Sequence, residues 1–202
     1  MRAWSRNWFL TVVIGLAVAA CTASNLPMLK IKIGEKMADF TLPEAGGAPH
    51  SLYEFKGKKA VVVIFLATRC PFSNAFNGVM AKLARDCASR GGAVVGINAN
   101  KTEPASEVAE HARTNNLGFP VLKDEGNVIA DRVGASVTPE VFLLDGDFTL
   151  RYHGALGNSQ RPTTKAEEAS DADLRPALEA VLAGQAVTRA ETKAFGCTIK
   201  RR

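Results

Sequence analysis

The chain has 202 residues, with 25 lysines and arginines against 20 aspartates and glutamates, 47% hydrophobic and 22% charged residues, and a formal net charge of +5. These proportions describe a globular protein and exclude collagen-like, disordered and polytopic membrane classes. Four cysteines in this length are too few for a disulfide-dense miniature, and the dispersed positive charge serves solubility rather than nucleic-acid binding.

Residues 1–20 read as an export leader. Arg2 and Arg6 make a cationic start, and the uncharged apolar run from Trp8 to Ala20 is shorter than the roughly 20 residues that span a bilayer as a helix. The run ends in Val18-Ala19-Ala20-Cys21. Small residues before a cysteine resemble the lipobox of bacterial lipoproteins, in which that cysteine is acylated, although Val18 stands where leucine is more usual. Ordinary cleavage near Ala20 or Ala23 is the other reading. Both export the chain, and the lipoprotein resemblance implies an anchor at Cys21 and a place on the periplasmic side of a bacterial cell envelope. Thr22 puts no acidic residue after the cysteine, as in lipoproteins sent onward from the inner membrane.

The mature chain divides into a tether over 21–33, one domain over 34–184 and a tail over 185–202. Ala38 to Leu42 alternates as a strand does, Pro43 to Pro49 turns through Gly46-Gly47, and His50-Ser51-Leu52 returns as a hairpin, with a helical turn at Leu52 to Phe55. Ala60 to Ala67 is a continuous apolar run and reads as a central strand covered on both faces. From Ser73 to Arg90 apolar residues recur at helical spacing, closed by Gly91-Gly92. Ala93 to Ile97 is a second buried strand, followed by a helix over 105–115, a short strand at Phe119 to Leu122 and a helical turn at Val128 to Val133. A hairpin comes next, Val141 to Leu144 and Thr149 to Tyr152 around Asp145-Gly146-Asp147. Gly154 to Ser170 reads as loop, and Asp171 or Asp173 caps a last helix ending at Ala183 before Gly184. This order of elements predicts an α/β layer fold with its site at a strand's carboxyl end.

That end is Thr68-Arg69-Cys70-Pro71-Phe72-Ser73. A cysteine at a helix start meets unpaired N–H groups and the positive end of the helix dipole, which favour the thiolate, so Cys70 is a candidate nucleophile expected to face solvent. Pro71 suits the first turn, and Arg69 adds positive charge if it turns toward the sulfur. Thr68 and Ser73 either hydrogen-bond that sulfur or only cap the helix, and Asn74 either extends this rim or faces water.

At these residues the chain resembles the thioredoxin superfamily. Cys70-Pro71-Phe72-Ser73 stands where that family has Cys-x-x-Cys, and Val137-Thr138-Pro139 where it has its cis-proline loop. The opening Ala38-Asp39-Phe40-Thr41-Leu42 is similar to the start of peroxiredoxins and of TlpA/ResA-like envelope oxidoreductases. Cys-Pro-x-Ser-Asn-Ala with a late Gly-Cys-Thr-Ile-Lys is similar to exported redoxin-domain proteins. The resemblance implies a thioredoxin-like fold, with a central mixed β-sheet flanked by helices and an N-terminal β-hairpin extension. It implies a thiol oxidoreductase acting on a protein disulfide or thiol or on a peroxide, with antioxidant activity in the latter case, an external thiol reductant and no cofactor. Thr138-Pro139 is then a cis bond presenting backbone to an extended partner chain. Two departures stand out: Ser73 replaces the second cysteine, and the peroxiredoxin pattern of proline and threonine upstream of the cysteine is incomplete around Ile64 to Arg69.

A second thiol must come from elsewhere. Cys87 lies 17 residues on, roughly 25 Å along a helix, and continues its apolar stripe, so it reads as core. Cys197, in Phe195-Gly196-Cys197 on a flexible tail, is the candidate resolving residue; a structural or unpaired tail thiol is the alternative. His111 reads as solvent-facing, and Cys70 with the distant His153 is a weak metal set, so no metal is expected. The basic run Lys200-Arg201-Arg202 reads as a solvated end. The reading from another class is a thioredoxin-like envelope binding module or copper chaperone, favoured if the tail cannot reach Cys70.

Overall fold

A computed structural model describes Met1 and residues 30–201. The leader, the lipobox-like Cys21, most of the tether and Arg202 lie outside the described residues. Among the described residues no helix is long and apolar enough to cross a membrane.

The described residues form β1 to β9 and α1 to α5 in the following order. A hairpin of β1 (Thr41–Pro43) and β2 (Pro49–Ser51) leads into a 3-10 turn at Leu52–Phe55, whose capping box is Ser51 and Glu54. The expected strand from Ala38 is thus shorter, and ahead of it Asp39 turns its carboxylate to the Ser51 hydroxyl and the Tyr53 N–H. Then come β3 (Ala60–Phe65), α1 (Pro71–Ala75), α2 (Asn77–Ser89), β4 (Ala93–Asn98), α3 (Ala105–Thr114), β5 (Val121–Lys123), α4 (Val128–Val133), β6 (Val137–Thr138), β7 (Glu140–Asp145), β8 (Leu150–Gly154), α5 (Arg175–Leu182) and β9 (Cys197–Thr198).

The central sheet has the order β5-β4-β3-β7-β8, parallel across β5, β4 and β3 and antiparallel across β3, β7 and β8. Every residue of β3 is buried. Ala60, Val62 and Ile64 face a cluster with Phe76, Met80, Leu83, Cys87 and Leu178, whereas Val61, Val63 and Phe65 face one with Phe142, Leu144, Ile129 and Val133. A strand with helices on both faces needs apolar residues at every position, which is why β3 reads as a run and not as an alternation. Burying such a valine or isoleucine is worth about 1.5–3 kcal/mol.

Three expectations are corrected. The helix expected over 73–90 is two, because at Phe76 (φ −94°, ψ 1°) the N–H tightens onto the Ser73 carbonyl. The last helix is not capped by Asp171 or Asp173. Leu174 stands at its N-cap, Asp171 pairs with Arg175, and Asp173 accepts from Ser159. The tail is not a loose end: β9 pairs antiparallel with β6, and Ile199 is buried in the core. At the other end of the domain, Ile31 and Ile33, expected within the tether, pack against the second cluster.

Candidate functional site

The register of β7 on β3 assembles the site. Phe65, the last residue of β3, pairs with Glu140, the first of β7, so the segment leaving β3 meets the segment entering β7. Cys70 ends the first segment as the N-cap of α1, and the Thr138–Pro139 peptide of the second is cis. The Cys70 thiol donates to the Thr138 carbonyl at 3.2 Å and its sulfur accepts from the Ser73 N–H at 3.4 Å.

The second cysteine arrives by strand pairing. In the β6–β9 register Thr138 stands opposite Cys197 and Val137 opposite Thr198. That pairing sets Cys197 beside Cys70, whose thiol the Thr138 carbonyl accepts, and the Cys197 pKa is pushed up to about 11, first by burial and then by the neighbouring Cys70. Both cysteines are free thiols, as is Cys87. Cys87 is wholly buried in the core, and burial raises its pKa to about 11.

The expected solvent access at Cys70 is corrected: the residue is 2% exposed. The cover is the tail. Gly196 lies so close to Thr138 that a Cβ would sit 1.9 Å from its carbonyl oxygen, and Phe195 packs edge-on to Phe72 with ring centroids 5.8 Å apart. The helix behind the sulfur also has only five residues, so it offers the N–H groups of one turn rather than a long aligned dipole.

Other predicted residues have different partners. The Thr68 hydroxyl donates to Glu107 at 2.5 Å, not to sulfur, and Arg69 turns away to pair with the same carboxylate. Glu107 is held at a pKa of about 2 by those bonds from Arg69 and Thr68. The Ser73 hydroxyl accepts from the Ala67 N–H. Asn74 donates to the Thr68 carbonyl and meets His111 Nε2 at 2.9 Å. His111 is therefore half-buried rather than solvent-facing, and burial lowers its pKa. His153 stacks on Phe142 and bonds Glu140 at 2.7 Å. The Thr138 hydroxyl is buried without a partner among the described residues.

Three carboxylates escaped the sequence reading. Glu103, 3% exposed, accepts the Thr68 and Arg69 N–H groups and the Asn98 amide. Glu107 holds the same two residues by their side chains. Glu140 accepts the Ser136 and Val137 N–H groups as well as His153; burial works against its charge, but these bonds prevail and hold its pKa below the usual carboxylate value. One signal pointed to Glu140: a lone carboxylate opening a buried strand directly after Pro139. Buried carboxylates of this kind keep their charge only with such donors around them.

A mixed sheet with a cysteine after β3 and a cis-proline before β7 defines a thioredoxin-like thiol protein. The chain belongs to the AhpC/TSA family, whose profile matches residues 33–153. It is 29% identical to Thiol-disulfide oxidoreductase ResA of Halalkalibacterium halodurans over 71% of this chain and 81% of that one. It is 31% identical to chloroplastic Peroxiredoxin Q of Gentiana triflora over 69% and 71%. A crystal structure of a hypothetical protein from Sinorhizobium meliloti superposes with a TM-score of 0.79 at 38% identity, covering 86% of this chain and 97% of that one. The match to Thioredoxin-like protein YneN of Bacillus subtilis spans 66% of that protein's length, just under two thirds. The chain is thus a redoxin-domain protein of the thiol-disulfide oxidoreductase and peroxiredoxin kind, and the family match ends before the tail that carries Cys197.

Proposed function

We propose that the protein is an exported thiol oxidoreductase in which Cys70 is the nucleophile and Cys197 resolves it within the same chain. The observation that carries this reading is that Cys197 stands opposite Thr138, whose carbonyl accepts the Cys70 thiol, beside the cis-proline peptide. In thiol-disulfide exchange the Cys70 thiolate attacks a disulfide sulfur, forming a mixed disulfide and expelling one thiolate. Cys197, having lost its proton, attacks the Cys70 sulfur, closes the Cys70–Cys197 bond and expels the second thiol. The client has gained two electrons, and an external thiol reductant returns them to the pair. Cys197 holds its proton at neutral pH because its pKa is about 11, so resolution follows only when a base or the leaving thiolate takes that proton.

A peroxide is the second substrate class, and the burial of Cys70 favours it. The thiolate takes the terminal oxygen, giving a sulfenic acid and an alcohol or water, and Cys197 condenses with the sulfenic acid to the same disulfide and water. Thr68, Ser73, Val137, Thr138 and Pro139 position the reacting atoms through the bonds described above. The N-terminal sequence supports export to the periplasmic side of the cell envelope and a lipid anchor at Cys21. A binding module or copper chaperone loses ground, because a tail thiol beside Cys70 suits turnover. A peroxide-consumption assay beside an insulin-reduction assay decides between substrates. Cys70→Ser is expected to abolish whichever activity is found, and an activity surviving that substitution would refute the reading.

A further inference from the structure

We infer that the tail segment Phe195 to Ile199 is a tethered occupant of the edge on which a polypeptide client would dock, so that polypeptides reach Cys70 only after β9 leaves while small oxidants do not need that step. The inference rests on the redox reading above and concerns access to the same site.

The tail meets β6 as an extended polypeptide would, as an antiparallel strand, with backbone pairing through Thr138 and Cys197 and with the Ile199 N–H on the Ser136 carbonyl at 2.9 Å. Strand addition of this kind draws affinity from the main chain and specificity from the side chains. Three features of the tail read as such specificity. Phe195 fills the surface beside Phe72 and Phe76. Gly196, at φ +144°, allows the close approach to the Thr138 carbonyl that a side chain would forbid. Ile199 is buried. The next residues are tied as well: the Lys200 N–H donates to Asn100 at 2.7 Å, and Arg201 pairs with Asp131 at 2.7 Å.

β6 has only two residues, and both are paired with β9. A second strand cannot bind that edge while β9 holds it. Oxidation within the pair needs no such exchange, because Cys197 already stands opposite Thr138, whose carbonyl holds the Cys70 thiol. The partner that fits the vacated edge is therefore an extended polypeptide that repeats the tail's pattern: an aromatic residue, a glycine, a reactive cysteine, and an apolar residue two positions later.

The test uses the full-length protein in a Cys21→Ser background, with Cys197→Ser so that Cys70 is left beside only the buried Cys87, and compares it with the Gly196→Val, Cys197→Ser double variant in the same background. Two probes are followed by release of pyridine-2-thione: dipyridyl disulfide as the small probe, and a nine-residue peptide carrying a cysteine pyridyl disulfide as the large one. The expected result is a rise of tenfold or more in the peptide rate on Gly196→Val, with a much smaller change for the small probe and loss of hydrogen-exchange protection at the Ile199 amide. A synthetic peptide copying residues 193–201, with serine for Cys197, is expected to slow the peptide reaction of the double variant when added in trans. Equal peptide rates in the two proteins, or an Ile199 amide still protected in the double variant, would overturn the inference while leaving the redox reading intact. A Cys70 inert to both probes in both proteins would overturn the redox reading and the gate with it.

Discussion

At the residue scale the site depends on carboxylates that hold backbone rather than on groups that touch sulfur. Glu103 collects three donors from the segment before Cys70 and from β4. Removing that acceptor leaves buried N–H groups unpaired, each costing about 1–3 kcal/mol. Glu103→Ala is therefore expected to lower stability by about 3 kcal/mol in urea unfolding, and a change below about 0.5 kcal/mol would mean these bonds contribute little. Cys70 was legible in the sequence because it follows a strong strand and precedes a proline at a helix start. Glu103 was not, since a carboxylate in a loop carries no local sign of the distant N–H groups it will meet, and Glu107 and His111 on α3 likewise carry no local sign of their partners. The chemistry of the thiols themselves makes a second prediction. Cys87 and Cys197 both have pKa values raised from 9.0 to about 11, chiefly by burial. The folded state thus keeps protons that the unfolded chain loses, so the stability they contribute is full below pH 9 and drains away between pH 9 and 11. For the wholly buried Cys87 that rise is worth on the order of 3 kcal/mol. Thermal melts of the reduced protein are expected to fall across that window, and to fall less steeply in Cys87→Ala; equal slopes would show that this burial is not what sets the alkaline limit.

At the scale of elements, local periodicity located β3, α2, β4, α4 and the β7–β8 hairpin, because each follows from side chains within a few residues of one another. What periodicity could not reach is pairing between distant segments. β9 has two residues, too few to carry a pattern, and it exists because β6 offers it a partner some 60 positions earlier in the chain. The break at Phe76 was equally hidden, since the apolar spacing runs on through it while the backbone tightens for one turn. Phe195 ties these two features, packing against both Phe72 of α1 and Phe76 at the break. Phe195→Ala removes that contact without touching a sulfur. It is expected to speed the reaction of Cys70 with the pyridyl disulfide peptide several-fold, while an unchanged rate would mean the aromatic contact does not keep the tail in place.

At the scale of the molecule, the fold brings a thiol from the end of the central strand and a thiol from the tail to the cis-proline peptide. The register of β3 on β7 delivers Cys70 to the cis-proline peptide, and the return of the tail across β6 delivers Cys197 to the same place. The family match over residues 33–153 accounts for the first delivery and stops short of the second, so the pairing of the two thiols is the claim on which the redox reading stands. The most direct test is mass mapping of non-reduced peptides after exposing the reduced protein to one equivalent of oxidant. The account predicts a Cys70–Cys197 linkage within one chain and an unmodified Cys87. Cys70 and Cys197 never found linked, with Cys70 joined to another partner or left as a bare oxidised acid, would contradict it.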